Sequence, residues 1–84
     1  LKNEEMFSIY PNISDSTIYL KISESVKKRR VKIHTLNGHL VEEIDFNHFA
    51  SSAIEFDISS YRNGMYIVSL DTGNKKHVKR FIKL

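Results

Sequence analysis

The stretch Asp57–Leu70, DISSYRNGMYIVSL, constrains the fold of this chain more than any other. An alternating segment runs into it, breaks at Ser59-Ser60 and turns through Arg62-Asn63-Gly64. An extended run follows as Met65-Tyr66-Ile67-Val68-Ser69-Leu70. Asn-Gly tolerates positive φ at little steric cost, so the backbone can reverse there. Side chains alternate along a strand, which puts Tyr66, Val68 and Leu70 on one face. The other strand-like segments have to pack around this corner and its strand.

Upstream, Phe7-Ser8-Ile9-Tyr10 reads as a short strand stopped by Pro11-Asn12, because proline cannot donate to a ladder. Ser14-Asp15-Ser16 reads as a turn. Thr17–Ile22 then alternates cleanly, with Ile18, Leu20 and Ile22 inward. A basic run, Lys27-Lys28-Arg29-Arg30, enters the next strand, where Val31 and Ile33 share a face. Asn37-Gly38 is the strongest hairpin signal in the chain. The return strand, His39–Phe46, shifts its apolar register between Val41 and Ile44, which predicts a bulge or a strand end near Glu42-Glu43.

Asn47–Ser52 reads as a loop with room for one helical turn around His48-Phe49-Ala50, and Ala53–Ile58 alternates with Ile54, Phe56 and Ile58 inward. Asp71-Thr72-Gly73-Asn74 is a hairpin loop before a last strand, Lys75–Leu84. About seven short strands at intervals of about eight to twelve residues predict an all-β, antiparallel sandwich. The aromatic just past the tight corner is similar to the tyrosine corner of immunoglobulin-like sandwiches, where the phenol ties the corner back to the backbone. Ile18, Leu20, Val31, Ile33, Ile54, Phe56, Tyr66 and Val68 are the expected core.

At 84 residues the chain is one domain, 6–84, behind a polar remnant of linker at 1–5. A domain this small buries roughly two thirds or less of its unfolded surface, so its core is thin. With no cysteine there is no disulfide, thiolate metal site or thiol nucleophile. No apolar run approaches the ~20 residues needed to cross a bilayer as a helix. The first residue is Leu1 rather than Met, which reads as a piece excised from a longer protein, with any export signal upstream.

Catalytic chemistry is not expected. His34, His39, His48 and His77 show no compact metal-ligand spacing, and His34 and His77 alternate outward beside lysines. There is no nucleophile elbow. Glu42 and Glu43 are adjacent and so point to opposite faces of a strand, the wrong geometry for paired acid–base work. No metal, cofactor or small-molecule substrate is expected. The net charge of +3 is mild, and no aromatic lies between Leu20 and Phe46 to stack bases beside the basic run, so nucleic acid is not expected either. The last strand carries Val78, Ile82 and Leu84 on one parity and Phe81 on the other, with Lys79, Arg80 and Lys83 as cations in water. Such a strand suits a receptor that adds to its edge.

Four pieces, in order, resemble the C-terminal sorting domain of the type IX (Por) secretion system. Phe7-Ser8-Ile9-Tyr10-Pro11-Asn12 is similar to its opening YPNP motif, and Val31–Val41 to its V-x-I-x-x-x-x-G-x-x-V hairpin. Ile58–Val68 is similar to L-x-x-G-x-Y-x-V, and Lys79–Leu84 to the basic and apolar ending. Ile13 stands where the family has a second proline, and Tyr61 where it has leucine. The resemblance implies an address that directs an N-terminally attached cargo through the outer-membrane translocon. The route passes through the periplasm to the outer-membrane surface or the medium, and a sortase-like peptidase cleaves the domain off. The same resemblance makes Lys79, Arg80, Phe81, Ile82, Lys83 and Leu84 the translocon-recognition segment. It makes Tyr10, Pro11, Asn12, Asn37, Gly38, Gly64 and Tyr66 the structural motif residues. The competing reading is a passive accessory sandwich, a fibronectin-like spacer or a carbohydrate-binding module. A flat exposed platform of Tyr10 and Tyr19 would favour the sugar-binding form.

Overall fold

The computed structural model describes residues 7–22, 29–46, 53–73 and 75–84. Among them the chain forms eight strands: β1 (Phe7–Tyr10), β2 (Ile13–Ser14), β3 (Thr17–Ile22), β4 (Arg29–Thr35), β5 (Leu40–Phe46), β6 (Ala53–Asp57), β7 (Gly64–Asp71) and β8 (Lys76–Lys83). The linker reading of residues 1–5, Lys27-Lys28, and the loop reading of Asn47–Ser52 with His48 lie outside the described residues.

The strands make a three-stranded sheet, β1-β3-β6, and a five-stranded sheet, β2-β8-β7-β4-β5. Ile18, Leu20, Ile22 and Phe56 project from the first sheet, and Val31, Ile33, Val68, Leu70 and Phe81 from the second, into one shared core. Period-two alternation puts each of these on the inner face. Full burial of one such aliphatic side chain is worth about 1.5–3 kcal/mol, so the two inner faces drive the sheets together. Of the expected core only Ile54 stays half-buried, packed against the cluster from outside it. The all-β sandwich is as expected.

One difference from expectation comes from strand pairing that no local pattern encodes. Ser14, read as part of a turn, instead joins Ile13 in β2, which pairs with Ile82-Lys83 in parallel; the other described pairings are antiparallel. Two residues leave no alternation to recognise. The first segment therefore changes sheets, as β1 in one and β2 in the other, with a cis peptide at Tyr10-Pro11. The hairpin expected at Asn37-Gly38 is present, joining the antiparallel pair β4 and β5. A two-residue type I′ turn needs positive φ at both central residues. Here only Gly38, at φ 94°, is positive. The loop is instead longer: Gly38 N–H donates to Thr35 O at 3.0 Å, and Thr35 N–H to His39 O at 2.9 Å. The irregularity foreseen in β5 is present one residue earlier, since Ile33 faces Glu42 while His34 faces Leu40, leaving Val41 as the extra residue.

Register also fixes the two ends of the sandwich. Phe7 lies opposite Ile22 at one end, and Asp71 opposite Lys76. At the other end Thr17 faces Asp57, Gly64 faces Lys83, and Ser14 lies beside Lys83.

Candidate functional site

β8 is bound along its whole length by β7, from Gly64 opposite Lys83 to Asp71 opposite Lys76. On its other side β2 covers only Ile82 and Lys83. The six residues expected to face a receptor split between the two faces of this strand. Phe81 is buried in the core. Arg80 and Leu84 are exposed, and Lys79 and Ile82 are half-buried. Lys83 corrects the expectation of a cation in water: it is only 7 % exposed, and its Nζ donates to the Leu84 carbonyl at 2.8 Å.

The parity reading also fails at His77. It lies on the inward parity opposite Leu70, half-buried, and its Nε2 is buried with no hydrogen-bond partner among the described residues. Phe81 sets the inward parity. The even residues, Val78 and Ile82, sit instead on the outer face, where Ile82 is opposite Met65 and Arg80 opposite Ile67. Sequence reasoning missed this outer strip, although its signal was present. Met65-Tyr66-Ile67-Val68 is apolar on both parities, the mark of a central strand covered on both faces.

The opening motif meets the last strand. Asn12 O accepts from the Ile82 N–H and Ser14 O from the Leu84 N–H, each at 2.9 Å. Ser14 Oγ fixes the turn behind them, donating to Thr17 O at 2.8 Å and accepting from the Ser16 and Thr17 amides at 3.2 and 3.1 Å. Pro11 and Asn12 are exposed at the crossing. Motifs about seventy residues apart in sequence thus form one surface, with β2 as the join.

At the same end, Asn37 from the β4–β5 turn and Gly64 from the corner line a shallow hollow of about 410 Å³ with His39 and Arg62. The corner is built as its sequence implied. Tyr66 Oη donates to the Arg62 carbonyl at 2.7 Å, and the Tyr66 ring stacks on Phe81 with centroids 5.3 Å apart. Tyr61 packs on both rings and donates to Glu42 Oε1 at 2.5 Å, tying the corner to β5. Burial foremost, and then the Glu42 carboxylate, push the Tyr61 phenol well above the usual tyrosine range. Before the corner, the Ser59 hydroxyl and amide donate to Asp57 Oδ1 at 2.7 and 3.0 Å and hold that carboxyl below its ordinary value. Tyr66→Phe is expected to cost about 1 kcal/mol in urea unfolding, because it removes one hydrogen bond and leaves the stacking in place.

Tyr10 and Tyr19 are exposed at 44 % and 37 % on the outside of the three-stranded sheet. They are cross-strand partners whose rings stack on each other, with centroids 5.5 Å apart and planes 17° apart. A sugar platform presents its ring faces to solvent. These two turn a face on each other, which does not favour the carbohydrate-binding alternative.

A family model described as "Secretion system C-terminal sorting domain" matches residues 8–84, from the middle of β1 to the end of β8. No curated protein matches the sequence.

Proposed function

The chain belongs to the family of secretion-system C-terminal sorting domains, and we propose that it acts as a folded address read from its surface rather than as a catalyst. It is a C-terminal sorting signal for type IX secretion, and it engages that machinery on behalf of an N-terminal cargo bound for the cell surface or the medium. In the finer reading, the folded sandwich passes through the periplasm, is recognised by the outer-membrane translocon along Lys79–Leu84, and is then a substrate for a sortase-like peptidase. What supports recognition on the last strand is its join with the opening motif through Asn12 and Ser14. That join displays Arg80 and Leu84 on one surface and makes their display depend on the fold.

The test fuses the domain to a periplasmic reporter in a host with this secretion system and compares it with a Lys79→Glu, Arg80→Glu double variant. Circular dichroism first confirms that the variant folds. Surface reporter is expected to fall by about tenfold, corresponding to about 1.4 kcal/mol lost at docking to an acidic partner. Folded variants exported like the parent would make the last strand purely structural. A parent domain that never directs export would remove the address reading itself.

A further inference from the structure

One lane of the five-stranded sheet holds no described strand over most of its length. Upstream of Asn12 the chain crosses to the other sheet as β1, so β2 reaches β8 only at Ile82 and Lys83. The Ile82 N–H points into that lane and donates to Asn12 O. Backbone direction repeats every second residue, so Val78 and Arg80 turn their N–H and C=O groups to the same side. No described strand pairs with them there.

Beside this edge runs a groove of about 980 Å³. Met65, Ile67, Val78 and Ile82 give it an apolar wall, with Ile13 at one end. Val78 is 56 % exposed and Ile13 50 %, so the strip is open to a partner. Arg80 is the exposed cation of its lining, and among the described residues no carboxylate lines it.

We propose that this lane is the docking site for one extended acidic segment of a partner protein, which adds as a strand beside Val78 and Arg80, end to end with β2. The inference rests on the sorting reading, in which that partner belongs to the export machinery. An added strand would pair its backbone with the two outward residues, lay alternate apolar side chains on the strip and bring a carboxylate to Arg80. A second copy of this chain fits less well. Pairing β8 with β8 sets cations against cations. The open acidic edge, β5, is kinked at Val41, and its acids are engaged: Arg30 holds Glu43 and Asp45 at 3.6 and 3.2 Å, and Tyr61 holds Glu42.

The probe is an acetylated, amidated hexapeptide, Glu-Val-Asp-Val-Glu-Val, added to the isotopically labelled 84-residue chain. Controls are the peptide with lysine at each acidic position and the acidic peptide N-methylated at alternate amides, which cannot pair. The acidic peptide is expected to slow amide exchange at Val78 and Arg80 by about tenfold, and neither control should do so. Val78→Pro removes an outward donor without touching the β7 ladder, and it should abolish protection at Arg80 in a chain that still folds by circular dichroism. Arg80→Glu should weaken peptide binding by about tenfold.

Equal protection by the lysine peptide, or protection that survives Val78→Pro, overturns the proposal. So does protection that grows with protein concentration in the absence of peptide, which would name a second copy as the occupant. Export separates this inference from the one beneath it. If the parent is exported and folded Val78→Pro is exported equally, the lane fails and the sorting reading stands. If the parent is not exported, the sorting reading fails and the peptide measurements alone decide the lane.

Discussion

Phe81→Ala is expected to cost about 3–5 kcal/mol, the range for emptying a large aromatic site in a core. Phe81 is 1 % exposed, stacks on Tyr66 and touches Tyr61, so its loss opens a cavity under the corner that neither ring can fill without leaving its hydrogen bond. Small domains carry folding free energies near the low end of about 5–15 kcal/mol. Most of the margin would go. Thermal melts followed by circular dichroism should show a transition far below the parent, with Phe81→Leu in between. A Phe81→Ala chain that melts with the parent would show that the aromatic cluster is not the keystone of this end. The result matters for export as well. Deleting Phe81–Leu84 removes core with the signal, so lost export after that deletion reports unfolding before it reports recognition.

Gly64→Val is expected to cost about 1–3 kcal/mol, entirely through the backbone. Gly64 has φ 146°, a region that side-chain-bearing L residues rarely adopt, yet a Cβ built there meets nothing within 4 Å. Strain and not collision sets the cost, which makes a sharper test possible. Gly64→Ala should lose nearly as much as valine, whereas D-alanine at the same position, introduced by chemical synthesis, should lose little or nothing. Equal losses for the two alanine enantiomers in urea titrations would place the penalty elsewhere.

Much of the sandwich was legible because period two is written plainly in it. Ile18-Tyr19-Leu20-Lys21-Ile22 and Val31-Lys32-Ile33 can bury only one face, and they do. The corner was legible for a chemical reason: Asn63-Gly64 followed by Tyr66 is a turn with its own tether, now seen as the bond to Arg62 O. Parity failed on β8 because apolar residues stand on both faces there. Three aliphatic residues on the even positions argued against Phe81 alone, but Phe81 is the one that stacks beside Tyr66 on the inner face of the sheet. The outer face then claimed Val78 and Ile82, and Lys83 was carried inward by its place two residues beyond Phe81. The parallel join of β2 with β8 could not be read at all. It brings residue 13 beside residue 82, and local pattern holds no record of partners so far apart.

The change of sheet at Asn12 also sets how the domain bears load. Phe7, where the chain leads back towards an attached cargo, lies at the end of the sandwich opposite Leu84. Tension applied between the cargo side and a gripped last strand runs along the strand axes in opposite directions. The β2–β8 join, held by the Ile82 and Leu84 amides, is then sheared, with its hydrogen bonds strained together instead of opened one after another. The same join that brings the two motifs side by side is therefore a mechanical clamp. A machine that pulls on the cargo while holding β8 would load β1, with its buried Phe7, first and would then meet the clamp at Asn12–Ser14.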